Sequence, residues 1–209
     1  MKIIFYGDSI TDMNRARERD YKATGYGVGF VNTIAGTLKY EDPTKYDILN
    51  RGIAGNRTTD LYARIRKDVW NQNPDVVSIL IGVNDVYDEI YYHNGIEYSR
   101  FEKMYRMIIE ETKARLPNVK IILCEPFTLT DFATEEITAV YHEVKRYAAL
   151  IKTLAKEYGC GFVALQDKFE EVAERFGAEY YLYDGIHPDI AGAKLIAEEW
   201  LKVFNAMIR

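Results

Sequence analysis

The chain has 209 residues, of which 28% are charged and 48% hydrophobic, and its formal net charge is −5. These values are typical of a globular protein, and the length suits one folding unit, so we expect residues 1–209 to form a single domain. The acidic balance argues against nucleic acid as a partner, because binding to a phosphate backbone needs a positive face.

No secretory signal or membrane-spanning segment is predicted. The N-terminus has one lysine followed by the short apolar run Ile3–Tyr6, which is shorter than the apolar region of a secretory signal. No apolar stretch approaches the length that crosses a bilayer. We therefore expect a cytoplasmic protein with no membrane partner.

The cysteines and histidines do not predict a metal or redox site. Cys124 and Cys160 lack the spacing of metal-binding or redox motifs. His93, His142 and His187 lie far apart in the sequence, and none belongs to a zinc-binding helix motif. We expect no metal and no cofactor.

Short apolar runs rich in Ile and Val predict strands that are buried on both faces of a parallel sheet. In chain order they are Ile3–Tyr6, Tyr46–Leu49, Val76–Ile81, Val119–Cys124 and Phe162–Leu165. Longer segments with helical periodicity lie among them, at Gly29–Tyr40, Thr58–Asn71, Ser99–Leu116, Glu135–Tyr158 and Ile190–Ile208. This alternation predicts an α/β protein, a three-layer α/β/α sandwich around a five-stranded parallel sheet.

Two local features complete the predicted elements. Thr134 precedes Glu135 and is a candidate N-cap for the fourth helix. The tyrosine-rich stretch Val86–Tyr98 is interpreted as the longest irregular segment that follows a motif. Segments of this kind often form the wall of an active site.

Three polar motifs directly follow predicted strands, and a fourth lies near the C-terminus. They are Gly7-Asp8-Ser9, Asn50 to Gly55, Gly82 to Asp85, and Asp184 to Pro188. In an open α/β sheet, ligands bind at the carboxyl ends of the strands. We therefore expect the motifs to meet at one edge of the sheet.

Ser9 is a candidate nucleophile. A serine hydroxyl attacks an ester only when a base takes its proton. His187 can act as that base, and Asp184, three residues earlier, can hold the imidazole ring through its other nitrogen. The alternative is structural: Ser9 caps a helix, Asp184 caps the final helix, and His187 lies on the surface.

The same motifs contain proton donors for the negative charge that forms on an ester carbonyl during attack. The candidates are the backbone N–H groups of Ser9 and Gly55 and the side-chain amide of Asn84. Gly55 suits this role because a backbone without a Cβ can approach a substrate closely. The alternative is that Gly55 and Asn84 are ordinary turn residues.

Taken together, the motifs closely resemble those of the SGNH hydrolase superfamily, also called the GDSL esterases and lipases. The resemblance spans the chain from Gly7 to Pro188. It implies a flavodoxin-like fold and a serine carboxylester hydrolase that works through an acyl-enzyme intermediate. The roles that it implies are Ser9 as nucleophile, His187 as base, Asp184 as the residue that orients the base, and Ser9, Gly55 and Asn84 as the oxyanion hole.

A narrower resemblance concerns the intracellular xylan acetylesterases. It is carried by Gly7 to Arg17, by Thr24-Gly25-Tyr26, and by Ile81 to Tyr87. Members of that branch remove acetyl groups from sugar hydroxyls and form homo-oligomers, so the resemblance implies an acetylated sugar as substrate and self-association. Candidate substrate contacts are Asp8, Arg15, Tyr87, Tyr91 and Tyr92.

Two alternatives remain open at this stage. The first is a lipase, lysophospholipase or thioesterase that uses the same residues on a longer acyl chain. The second is a carbohydrate-binding protein that keeps the fold without catalysis, since one fold hosts many functions.

Overall fold

The structure is a computed structural model that describes residues 1–130 and 135–208, without the side chains of residues 135–137. The predicted cap Thr134 lies outside the described residues.

The predicted five-stranded parallel sheet is confirmed. Its strands are β1 (Lys2–Gly7), β2 (Asp47–Gly52), β3 (Val76–Leu80), β4 (Lys120–Cys124) and β5 (Gly161–Val163). All four strand pairs are parallel, and the order across the sheet is β2-β1-β3-β4-β5. This is the flavodoxin-like order, in which the direction of winding reverses between β1 and β3 and leaves a crevice at the carboxyl ends of those strands.

Helices cover both faces of the sheet. They are α1 (Ser9–Asp12), α2 (Phe30–Glu41), α3 (Thr58–Asp68), α4 (Val83–Tyr92), α5 (Tyr98–Arg115), α6 (Glu135–Glu157), α7 (Gln166–Phe176) and α8 (Ile190–Ile208). Buried side chains of α2, α7 and α8 form one core layer, and those of α3, α5 and α6 form the other. The predicted three-layer architecture is therefore confirmed.

Strand β1 contributes side chains to both core layers, because successive side chains of a strand point to opposite faces of the sheet. Ile3 and Phe5 pack in the layer of α2 and α8, where the Phe5 ring lies 5.0 Å from that of Trp200. Ile4 and Tyr6 pack in the opposite layer. The end of β1, which leads into the turn before Ser9, is thus anchored from both sides of the sheet.

Residues 86–92 were predicted to be irregular, and this prediction was wrong, because α4 spans Val83–Tyr92. The irregular segment is confined to residues 93–97. Valine and tyrosine have low intrinsic helix propensity. Here the helix is stabilised by tertiary burial, since Val83 and Val86 are each 2% exposed.

The predicted last strand, Phe162–Leu165, is shorter in the structure and ends at Val163. It is followed by α7, which was not predicted. The Glu125 carboxylate accepts hydrogen bonds from the backbone N–H groups of Leu165 (2.7 Å) and Gln166 (3.0 Å) at the start of this helix. Because Glu125 is 40 residues away in sequence, this cap leaves no local sequence signal.

No helix in the described ranges, residues 1–130 and 135–208, is both long and apolar enough to cross a membrane.

Candidate active site

The turn after β1 brings Ser9 to the edge of the sheet. A Cβ at Gly7 would lie 2.3 Å from the backbone oxygen of Leu80, so only glycine allows β1 to end so close to the end of β3. Asp8 is the N-cap of α1, and its side chain accepts the Ile10 N–H at 3.0 Å. Ser9 is the first residue of that helix and is not its cap.

Ser9, His187 and Asp184 form a continuous hydrogen-bonded chain. Ser9 Oγ lies 2.8 Å from His187 Nε2, and His187 Nδ1 lies 2.6 Å from Asp184 Oδ2. The second carboxylate oxygen, Asp184 Oδ1, accepts the backbone N–H groups of Ile186 (3.0 Å) and His187 (2.7 Å). Asp184 therefore does not cap α8, which begins at Ile190.

The hydrogen bond between Asp184 and His187 shifts the pKa values of both side chains. The hydrogen bond that His187 donates to Asp184 raises the pKa of His187 above its usual 6.5, although burial of the ring opposes this. Burial tends to raise the pKa of Asp184, but the hydrogen bonds that it accepts outweigh burial and lower it. At neutral pH, Asp184 is therefore the charged partner that holds the imidazole in place.

Tyr183 is part of the site, although no role was predicted for it from the sequence. Its ring stacks on that of His187 with 5.5 Å between centroids and 12° between planes. The Tyr183 side chain is nevertheless 56% exposed. The available sequence signal was an aromatic residue next to Asp184, which does not reveal stacking.

The segments that carry Gly55 and Asn84 lie side by side. The Asn84 side-chain amide donates a 2.9 Å hydrogen bond to the backbone oxygen of Asn56, next to Gly55. The other N–H of this amide makes no hydrogen bond within residues 1–130 and 135–208, so it can donate to a substrate. Gly55 has a φ of +79°, and a Cβ there would meet nothing within 4 Å, so its backbone faces open space.

The carboxylates of Asp12 and Asp85, for which no catalytic role was predicted, hold these loops in place. Asp12 Oδ2 accepts the N–H of Ala54 at 3.1 Å and so links α1 to the turn that carries Gly55. Asp85 is fully buried and accepts the backbone N–H and the hydroxyl of Thr58. Burial raises the pKa of Asp85 to about 7, against the effect of these hydrogen bonds.

Asp8 does not face the cavity. It is 1% exposed, and burial raises its pKa to about 7 while its hydrogen bond from Ile10 and the nearby His187 act to lower it. The structure therefore places this predicted substrate contact beneath the site, where its charge acts on His187.

The cavity beside Ser9 has a volume of about 140 Å³. It is lined by Ser9, Asp12, Met13, Asn14, Ala54, Tyr183 and His187. Gly55, Asn84 and the other predicted substrate contacts do not line this cavity. Arg15 lies against the backbone of Gly52, to which its Nε donates a 2.8 Å hydrogen bond.

The three tyrosines named as substrate contacts lie on α4. The Tyr87 ring is 4.8 Å from that of Tyr91 and 6.1 Å from that of Tyr92. Asn84, Tyr87 and Tyr91 share one face of the helix, since residues three and four apart are neighbours there. Tyr92 is 66% exposed. The tyrosines therefore extend away from the candidate oxyanion donor along α4.

Within the described residues, no group of three or more His, Cys, Asp or Glu side chains is placed to hold a metal ion.

Comparison with protein families decides the class of this chain. The model of the GDSL-like Lipase/Acylhydrolase family matches residues 5–195, a range that contains Ser9, Asp184 and His187. The chain belongs to this family. The predicted membership of the GDSL, or SGNH, hydrolases is thereby confirmed, and the protein is a serine carboxylic ester hydrolase.

Relatives of known structure share the whole fold. A structure from Parabacteroides merdae described as a GDSL-like lipase has a TM-score of 0.92 and 35% identity, covering 98% of this chain and 95% of its own. The acetylxylan esterase of Geobacillus stearothermophilus is 36% identical over 208 residues, 96% of this chain and 92% of its own length. Its crystal structure has a TM-score of 0.86.

That esterase has also been solved as catalytic mutants in which a serine, an aspartate and a histidine are each replaced by alanine. Its mutated aspartate and histidine are three residues apart. Asp184 and His187 of this GDSL family member have the same spacing.

Proposed function

We propose that this GDSL hydrolase is an acetylesterase that removes acetyl groups from the hydroxyls of carbohydrates through an acyl-enzyme on Ser9. The observation that carries the proposal is the hydrogen-bonded chain from Ser9 through His187 to Asp184. The whole-length similarity to an acetylxylan esterase supports the choice of substrate.

In the first half of the reaction, the Ser9 oxygen attacks the acetyl carbonyl carbon while neutral His187 takes the hydroxyl proton through Nε2. The Asp184 carboxylate accepts a hydrogen bond from Nδ1–H of the ring, which fixes the tautomer that this step requires. The negative charge on the former carbonyl oxygen is stabilised by the N–H groups of Ser9 and Gly55 and by the Asn84 amide.

The attack forms a tetrahedral intermediate. This intermediate then collapses, and the bond between the acetyl carbon and the sugar oxygen breaks. His187 returns its proton to the leaving sugar alkoxide, and the acetyl group stays on Ser9. A water molecule, deprotonated by His187, then attacks the acetyl-enzyme, which releases acetate and restores the serine hydroxyl.

The size of the cavity favours a small acyl group. At about 140 Å³ it is smaller than the roughly 300–1,000 Å³ of most small-molecule sites. An acetyl group fits such a space, whereas a long acyl chain needs an extended apolar channel.

A panel of esters graded by acyl length, together with acetylated xylo-oligosaccharides, tests the proposal. We expect the native protein to prefer acetate esters and to deacetylate the oligosaccharides, and we expect Ser9→Ala to lose both activities. Activity that rises from acetate to octanoate esters would instead favour the lipase, lysophospholipase or thioesterase alternative. Native-rate hydrolysis by Ser9→Ala would refute the serine mechanism.

The non-catalytic alternative has a separate test. A carbohydrate-binding protein has no physical need for a nucleophile, base and carboxylate in register. We expect a serine-directed phosphonate to label the native protein at Ser9, and we expect His187→Ala to prevent labelling. Failure of the native protein to react would favour a binding protein.

We also propose that the protein is a homo-oligomer in the cytoplasm, without nucleic acid or membrane partners. Large apolar side chains are exposed near the candidate site, including Tyr183 at 56% and Ile190 at 83%. Aromatic side chains such as that of Tyr183 are enriched in protein interfaces. Sedimentation velocity tests the assembly, with a monomer at every concentration as the contrary result, and cell fractionation tests the location.

A further inference from the structure

A second cavity, of about 450 Å³, lies next to the candidate active site. Its cationic lining residues are Arg15, Arg17, Arg51, Arg64 and Lys67. The cavity is therefore positively charged in a protein whose net charge is −5.

The acidic residues in the lining neutralise only part of this charge. Both carboxylate oxygens of Asp20 accept hydrogen bonds from Arg51, at 2.7 and 2.8 Å. Asp68 is paired with Arg64 at 2.6 Å. Two of the cations are therefore balanced within the cavity, and the other three exceed the available carboxylates.

Arg15 is the unbalanced cation with the most fixed position. Its Nε donates to the Gly52 backbone oxygen, while its terminal nitrogens make no hydrogen bond or ion pair within residues 1–130 and 135–208. Burial lowers the pKa of Arg15, and the charges of Arg51 and Arg17 act in the same direction, against the carboxylates of Asp12 and Asp20. An anion in the cavity would counteract both effects, because it stabilises the charged form of the guanidinium.

The remaining two cations are weakly engaged. The contact of Arg17 with Asp12 is 3.6 Å long, and its side chain is 56% exposed. Lys67 makes no ion pair with any residue that the structure describes. Both side chains can therefore turn toward a bound anion without breaking a strong interaction.

The two cavities share a wall. Asp12 and Ala54 line the Ser9 cavity, and their neighbours Arg17 and Ile53 line the cationic one. The hydrogen bond between Ala54 and Asp12 holds this wall together. A substrate whose ester lies at Ser9 can therefore extend over the wall and place another group among the arginines.

We propose that the cationic cavity is a subsite for an oxyanion, a carboxylate or a phosphate, carried by the sugar part of the substrate. Guanidinium groups bind such oxyanions through two parallel hydrogen bonds. The proposal rests on the proposed function, because the subsite affects specificity only if Ser9 hydrolyses sugar esters. The enzyme then prefers acidic acetylated sugars to neutral ones.

Anion binding is tested first without catalysis, in a Ser9→Ala background. Inorganic phosphate and glucuronate are titrated separately at constant ionic strength and followed by NMR. We expect the amide signals of residues that line the cationic cavity to shift, and we expect Arg15→Gln to weaken binding about tenfold, the typical effect of losing one charged hydrogen bond. The absence of saturable shifts for both anions would overturn the subsite.

Arg66→Gln is the matched control. Arg66 precedes Lys67 on α3, is exposed, and does not line the cavity. The substitution Arg66→Gln removes the same unit of charge as Arg15→Gln or Lys67→Gln, so the long-range attraction of an anion to the protein changes equally. Lys67→Gln serves as the second test variant if Arg15→Gln does not fold, because no hydrogen bond of the Lys67 amine to a described residue is lost.

The second experiment measures specificity as the ratio of kcat/KM for an acidic substrate to that for its neutral counterpart. One pair is an acetylated xylo-oligosaccharide with and without a glucuronic acid branch, and the other is an acetylated sugar with and without a phosphate. We expect a ratio well above one in the native protein for at least one pair, which identifies the source of the oxyanion. Arg15→Gln and Lys67→Gln should lower this ratio, and Arg66→Gln should leave it unchanged.

Equal ratios in native protein and all variants would overturn the subsite. If the native protein hydrolyses no ester at all, the proposed function fails, while the titration with phosphate and glucuronate still decides whether the cavity binds anions.

Discussion

Thr58 donates both its backbone N–H and its hydroxyl to the buried carboxylate of Asp85. Thr58 begins α3, three residues after Gly55, and Asp85 directly follows Asn84 in α4. The contact therefore ties together the two segments that carry the candidate oxyanion donors. Because Asp85 is buried, its carboxylate must keep these hydrogen bonds with Thr58, since a buried carboxylate without partners is strongly disfavoured.

Asp85→Asn is expected to lower kcat by about 10- to 100-fold while KM changes little. The asparagine amide turns an N–H toward one of the two donor groups of Thr58. A buried donor without an acceptor costs about 1–3 kcal/mol of stability. The segments that carry the oxyanion donors then lose their relative position. Steady-state kinetics measure the effect. Asp88→Asn on the same helix is the control, because its contact with Arg57 is 3.9 Å long and Asp88 is partly exposed. An unchanged kcat in Asp85→Asn would show that this contact does not position the donors.

Asn84→Ala is expected to lower kcat by about 10²- to 10³-fold, the typical effect of removing one oxyanion donor. KM should stay close to that of the native protein, since the donor acts on charge that develops after binding. Rates on an activated acetate ester measure this effect. Asn118→Ala, at an exposed position between α5 and β4, should match the native protein. A loss confined to KM would assign Asn84 to substrate binding instead.

The pH dependence of kcat/KM should show an acidic limb with a midpoint above 6.5. The reaction needs neutral His187, and Asp184 raises the pKa of His187 above that value, so activity is lost as pH falls through the raised pKa. Asp8 has a pKa of about 7 and also raises the pKa of His187 through the part of its charge that remains in this range. Asp8→Asn, which preserves an N-capping side chain, should therefore move the midpoint to lower pH. A shift to higher pH, or no shift, would contradict this role of Asp8.

Tyr183→Ala is expected to lower kcat/KM by about 2- to 10-fold, which corresponds to the roughly 0.5–1.5 kcal/mol of an aromatic pair. The physical reason is that the stacked ring restrains the orientation of His187. Tyr183→Phe keeps the ring and should retain the native rate. If Tyr183→Phe were as slow as Tyr183→Ala, the hydroxyl and not the stacking would be responsible.

The strands and the catalytic candidates Ser9, His187 and Asp184 could be predicted because short stretches of sequence reveal them. Runs of Ile and Val predicted the strands, and the spacing of Asp184 and His187 let one carboxylate reach one ring. The reversal of winding between β1 and β3 then gathered the motifs at one edge. These features follow from short segments and one rule of topology.

The remaining features depend on contacts between residues that are distant in sequence. Glu125 caps α7 from 40 residues away, and Asp85 pairs with Thr58 from 27 residues away. Arg15 was named as a substrate contact, but its place in a separate cationic cavity became visible only once the loops were positioned. Helix α4 was missed because burial of Val83 and Val86, and not intrinsic propensity, stabilises it.

The most direct test of the mechanism is to trap the acyl-enzyme. The native protein is mixed with an activated acetate ester, quenched in acid during turnover, digested, and analysed by mass spectrometry. We expect an acetyl group on the peptide that contains Ser9, and we expect none when Ser9→Ala is treated in the same way. An active native protein that carries its acetyl group on another residue, or a Ser9→Ala protein that still turns over, would contradict Ser9 as the nucleophile.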